Sequence, residues 1–137
     1  MAKTEIEVRV EATNKTRLKY AGRPFAWGSV DCVKMARFHA LAMGHKPPRF
    51  PSSYTTEIGA LRALKKSGFE NVDDLLSSMF PKIPLASARV GDFIVAEGEA
   101  GLDAVFISLG RKIMGFHEEA EDLVVVIPEK IKSAYRV

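Results

Sequence analysis

The sequence predicts an α+β fold, with N-terminal helices packed on one face of a small antiparallel sheet in the C-terminal part. Through about residue 80 the apolar residues recur mainly at helical spacing. From Asp92 onward they come in short β-branched or aromatic runs separated by glycines and charges. The 137 residues, 47% apolar and 27% charged, suffice for one core and are too few for two, so one domain over 1–137 is expected.

Thr4 to Val10 alternates, with Ile6, Val8 and Val10 on one face, and predicts a strand; a charged amphipathic helix is the alternative. Asn14 to Ala21 reads as a short helix capped by Thr13 or Asn14 and stopped by Gly22 and Pro24.

The stretch Pro24-Phe25-Ala26-Trp27-Gly28-Ser29-Val30-Asp31-Cys32 then leads into a helix running to about Met43. Cys32, Met35, Ala36, His39, Ala40 and Met43 share one helical face, while Lys34 and Arg37 mark the solvated side. Ser29 or Asp31 can cap its start and Gly44 can end it. The chain's one cysteine therefore falls in the first turn, at the mouth of the core. The partial positive charge of a helix N-terminus favours a thiolate there. The alternative is a small buried hydrophobe. Phe25 and Trp27 either wall a substrate cleft beside the thiol or pack the helix onto the sheet. Asp31 can polarise a neighbour, but the capping role suits it better.

Residues 44–52, rich in proline, form a surface connection that carries a solvated His45. A helix follows over Thr55 to Ser67, with Ile58, Leu61 and Leu64 inward and Gly68 as its stop. Another runs from Val72 to Met79 behind an Asn71 cap. Strands are expected at Asp92–Ala96, Ala104–Leu109, Lys112–Phe116 and Leu123–Ile127, forming a meander with a tight hairpin at Gly110-Arg111-Lys112. Glu118 to Asp122 reads as a solvated acidic loop.

Composition narrows the function. One cysteine allows neither an internal disulfide framework nor a multi-cysteine metal site. His39, His45 and His117 form no ligand motif, so neither metal nor cofactor is expected. The formal charge of +3 is spread without a dense basic run, which argues against nucleic acid as a partner. No apolar run reaches the roughly 18 residues of a membrane span, and the first residues lack the apolar core of a signal peptide.

Pro24-Phe-x-Trp-Gly-x-x-Asp-Cys32, then Arg89-Val90-Gly91-Asp92, then Val105-x-Ile107-x-Leu109-Gly110 resemble, in order and spacing, the NlpC-type papain-like cysteine endopeptidases that cut peptidoglycan stem peptides. With the tail Ala134-Tyr135-Arg136-Val137, the chain is similar to a compact phage and prophage branch encoded among tail-tip genes, over about residues 14 to 137. The resemblance implies a papain-like fold with Cys32 as nucleophile, a histidine base on the sheet and a polar orienting residue on the next strand. Here the sequence departs from the pattern. Aligned on Val105, Ile107 and Gly110, the base position falls on Ala104, with Asp103 just before it, and alanine takes no proton.

His117 lies near the orienting position but displaced by one, so alternation turns it from the thiol unless a bulge or another hairpin register intervenes. His39 is seven residues along the helix, about 10 Å at 1.5 Å per residue, and reads as a core-edge histidine bonded to backbone. The expected function is a phage tail-tip or tail-assembly component with an incomplete catalytic set. The alternative is an active endopeptidase or amidase with Cys32 as nucleophile and His117 as a relocated base. Phe25, Trp27, Asp31 and Asp103 are the candidate substrate contacts. Expected partners are other tail-tip proteins and peptidoglycan. The expected location is the virion tail, after synthesis in the bacterial host cytoplasm.

Overall fold

The computed structural model describes residues 3–47, 54–98, 102–116 and 122–137. Its first element corrects the expected strand and the separate short helix: one helix, α1 (Glu5–Tyr20), spans both. The face it buries is Arg9, Ala12, Thr13, Thr16 and Tyr20, at i, i+3, i+4, i+7 and i+11. Ile6 and Val10, whose alternation suggested the strand, are 54% and 44% exposed. The helix is set by polar side chains with defined partners. The Thr13 hydroxyl donates to the Arg9 carbonyl and that of Thr16 to the Ala12 carbonyl, while Thr4 caps the start by accepting the Glu7 N–H.

Helix α2 (Cys32–Ala42) begins at Cys32 behind an Asp31 cap, and Gly44 follows with φ of 95°. Its buried face is the one expected: Cys32, Met35, Ala36, His39 and Ala40. In α3 (Glu57–Lys66), capped by Thr56, Leu64 is inward and Leu61 packs at the core's edge. Ile58, expected inward, is 65% exposed, because Ala60 and Leu64 define the buried side. Helix α4 (Val72–Ser77) starts at the Asn71 cap and buries Val72, Leu75 and Leu76.

Six strands follow: β1 (Lys82–Ile83), β2 (Phe93–Ala96), β3 (Ala104–Ser108), β4 (Ile113–Gly115), β5 (Val124–Val126) and β6 (Ile131–Tyr135). They form one antiparallel sheet in the order β1-β6-β2-β3-β4-β5. The expected meander is β2 to β5, and its β3–β4 turn closes with the Leu109 N–H on the Lys112 carbonyl. β1 and β6 lie outside the expected set, and β6 enters between β1 and β2.

The pleat sorts the sheet into two faces. Phe93, Val95, Val105, Ile107, Met114 and Tyr135 meet the helices in the main core. Ile94, Phe106, Ile113 and Ala134 lie on the other face with Ile83, Ala88 and Ile131.

Candidate functional site

The loop before α2 is closed on itself. Ala26 and Val30 exchange backbone hydrogen bonds of 2.9 and 2.8 Å, which puts Gly28 at the tip with φ of 87°. A Cβ on Gly28 would lie 2.0 Å from the Tyr54 carbonyl oxygen, so only glycine fits beneath that segment. Asp31 joins the two. Its Oδ1 accepts the Lys34 N–H at 2.9 Å, and its Oδ2 accepts the Gly28 N–H and the Tyr54 hydroxyl, both at 2.8 Å. At 1% exposure, with these three donors, Asp31 is a cap and a loop anchor rather than a group free to touch a substrate. Burial and the Asp31 carboxylate both raise the Tyr54 phenol above its usual range. Tyr54 was not legible as a site residue, because its partner Asp31 lies 23 positions away in the chain.

Cys32 sits at the first position of α2, as expected, but its thiol does not ionise readily. Burial pushes it up to about 12, and the Asp31 carboxylate adds to the effect. The backbone N–H groups of Val105, Cys32 and Val33, which favour the thiolate, do not offset it. Cys32 is 7% exposed, inside the core rather than at its mouth. The helix-dipole expectation fails because desolvation outweighs the fractional charge of the helix end.

Ala104, at the expected base position, opens β3. Val105 and Ile107 face the helices, so Ala104 and Phe106, one residue out of phase, belong to the opposite pleat. A histidine at position 104 of this register would not face α2. Asp103 is 8% exposed and already partnered. Its Oδ2 accepts Lys132 Nζ at 2.6 Å and its Oδ1 accepts the Gly98 N–H at 3.3 Å. Lys132 also lies 3.9 Å from Asp73, which takes hydrogen bonds from the hydroxyls of Ser133 and Tyr135. Burial alone would raise the Asp73 carboxyl; those hydroxyls and the Lys132 ammonium hold it below its ordinary value. This Asp73–Lys132–Asp103 cluster ties α4 to β6 and to the start of β3.

Both described histidines are committed elsewhere. His39, at 0% exposure, has Nδ1 3.0 Å from the Thr16 hydroxyl and Nε2 2.8 Å from the Gly91 carbonyl, and burial lowers it to about 4. The backbone bond expected of it is present, in the core interior rather than at its edge. His45 stacks edge-on against Phe80 at 5.0 Å. His117, the candidate relocated base, and residues 118–121 of the acidic run lie outside the described residues. Phe25 and Trp27 are half-buried and meet edge to face at 4.8 Å, and Phe25 packs on Phe116 at 6.1 Å. They wall the loop and pack it onto the sheet at once. No group of side chains among the described residues is arranged to hold a metal ion, and no described helix is long and apolar enough to cross a membrane.

Two solved structures share this architecture. The NlpC/p60 domain of the peptidoglycan hydrolase SagA superposes with a TM-score of 0.61 at 20% identity, covering 93% of this chain and 97% of that one. RipD from Mycobacterium tuberculosis, described as a non-catalytic NlpC/p60 domain protein adapted to peptidoglycan binding, gives 0.60 at 15% identity, with 99% of each chain covered. The fold is therefore that of NlpC/p60 domains. A search of curated proteins gives no match. Residues 6–137 match the family described as Domain of unknown function (DUF6950), and the chain belongs to that family.

Proposed function

We propose that this chain is a non-catalytic NlpC/p60 domain that acts by binding, as a tail-tip or tail-assembly component of a bacteriophage, with peptidoglycan stem peptides as its ligand. The observation that carries the reading is the state of Cys32: a core thiol pushed up to about 12, whose thiolate-favouring contacts among the described residues are backbone N–H groups. Without a base, a thiol loses general-base help worth about 10²–10⁴ in rate. RipD, described as a non-catalytic NlpC/p60 domain protein adapted to peptidoglycan binding, supports the same reading here. The tail assignment rests on the motifs at 24–32, 89–92, 105–110 and 134–137 and their resemblance to the compact phage and prophage branch.

The test is incubation of the purified chain with isolated peptidoglycan sacculi and with a soluble stem peptide. Co-sedimentation with sacculi and no peptide released by either wild type or Cys32→Ala is the expected result. Stem-peptide hydrolysis that Cys32→Ala abolishes overturns the non-catalytic reading, and failure to sediment with sacculi overturns the binding role. One observation favours the second reading, an active peptidase. The N–H groups of Cys32, Val33 and Val105 converge on the sulfur, an arrangement that stabilises anionic character where a thiolate would form. That reading needs His117 as base, and it predicts that His117→Ala abolishes hydrolysis as fully as Cys32→Ala.

A further inference from the structure

Helix α2 borders two cavities, neither of which the peptidase resemblance assigns. One, of about 320 Å³, lies between α2, α4 and the sheet and is walled by Ala36, Ala40, Leu76, Met79, Phe80 and Phe93. This volume falls at the lower end of the roughly 300–1,000 Å³ typical of small-molecule sites, and the apolar lining is typical of them too. Its only charged lining residue among the described residues is Arg37. The second cavity, about 520 Å³, shares Arg37 and adds Lys19, Arg23 and Lys34, with no carboxylate in its lining among the described residues.

Arg37 thus stands between an apolar chamber and a cationic basin. Its Nε is fully enclosed and has no hydrogen-bond acceptor among the described residues. A buried guanidinium donor without an acceptor is costly, and the flat fork of Arg matches a carboxylate. The neighbouring ammonium and guanidinium groups add an attractive field for a negative charge.

We infer that this junction binds an amphipathic carboxylate, with its apolar chain lodged between α2 and α4 and its carboxylate on Arg37 facing the basic basin. The site does not depend on the peptidoglycan reading, since the thiol of Cys32 is not part of either lining. Two chemical features define the ligand: an unbranched or aromatic apolar part of modest length, and one anionic head.

The full chain should be titrated by calorimetry with sodium decanoate below its micellar range, and with decanol as the uncharged analogue. The methionine methyl groups are followed by NMR in parallel. Decanoate is expected to bind at one site, shifting the Met79 methyl while Met114, in the core but outside the lining, stays in place. The charge-assisted contact predicts binding about tenfold tighter than decanol. Arg37→Gln should reduce decanoate to the level of decanol and leave decanol and the circular dichroism spectrum unchanged. Equal affinities for decanoate and decanol in the wild type overturn the proposal. So does full decanoate affinity in Arg37→Gln, saturation without movement of Met79, or no binding at all.

Discussion

Arg9 and Asp92, 83 positions apart, form a buried ion pair with Nη1 and Oδ1 at 2.8 Å and side-chain exposures of 4% and 0%. The guanidinium also donates to the carbonyls of Val90 and Val137, so one side chain of α1 fixes the turn into β2 and the segment after β6. Asp92 in turn accepts the N–H groups of Arg89 and Val137. Removing Arg9 takes the closer of two counter-charges from the buried Asp92 carboxylate and leaves it Arg136, whose Nε lies 3.3 Å from Oδ2. Arg9→Met should therefore cost about 3–5 kcal/mol in urea unfolding. The double variant with Asp92→Asn should cost less than the sum of the two single changes, by about 1–3 kcal/mol.

His39 gives the fold an acid-sensitive range. Burial lowers it to about 4 from an ordinary 6.5, so between these values the unfolded chain binds a proton that the folded chain refuses. The nearby Arg9 guanidinium lowers it further, while the Asp92 carboxylate and the Gly91 and Ala12 carbonyls oppose the shift. The unfolding free energy should then fall as pH drops from about 6.5 to about 4, by about 3 kcal/mol from this group. His39→Gln should flatten that part of the pH profile while lowering stability at neutral pH.

Cys32 should be slow to alkylate. With its thiol at about 12 against a reference of 9.0, iodoacetamide at pH 8 should react about 10³-fold more slowly with the folded chain than with the chain in urea. The folded rate should still be rising at pH 10, and His117→Ala should leave it unchanged. A plateau below pH 8.5 that disappears in His117→Ala would instead reveal a thiolate–imidazolium pair.

Gly28→Ala tests the loop that places Cys32. The backbone conformation at φ of 87° costs an alanine about 1–2 kcal/mol, and its Cβ must push the Tyr54 carbonyl aside. The loss of stability should exceed 2 kcal/mol by about a further 1 kcal/mol as the Tyr54–Asp31 hydrogen bond breaks. Tyr54→Phe removes only that bond and should show the smaller effect alone.

Much of the fold was legible where local chemistry and tertiary environment agree. Asp31 and Asn71 are caps, Gly44 and Gly68 take positive φ, and the α2 face from Cys32 to Ala40 is buried as its spacing predicts. Helix α1 was not, because its buried side is Arg9, Thr13 and Thr16. Only partners 81 to 128 positions away reveal that an arginine belongs in the core. β6 was missed for a related reason. Ile-Lys-Ser-Ala-Tyr has little apolar alternation, and its inward Ser133 is satisfied by Asp73 of α4.

The candidate site was legible in position and not in energetics. Sequence placed Cys32 at the helix start. The depth of its burial depends on Val105 and the sheet beneath it, which no local pattern encodes. The same sheet decides the parity of β3, and a shift of one residue separates Ala104 from the helix-facing side.

The place of β6 has a consequence for how the chain is made. It lies inside the sheet, second from the β1 edge, yet it is translated after every other described strand, and among the described residues β1 pairs with nothing else. Until residues 131–135 leave the ribosome, one edge of β2 stays unpaired along Phe93–Ala96, where all four residues are buried in the finished protein. A nascent chain therefore carries an open apolar seam, at which a chaperone or a neighbouring nascent chain can add a strand. The interval between the emergence of β2 and that of β6 is the time during which co-translational misassembly competes with folding.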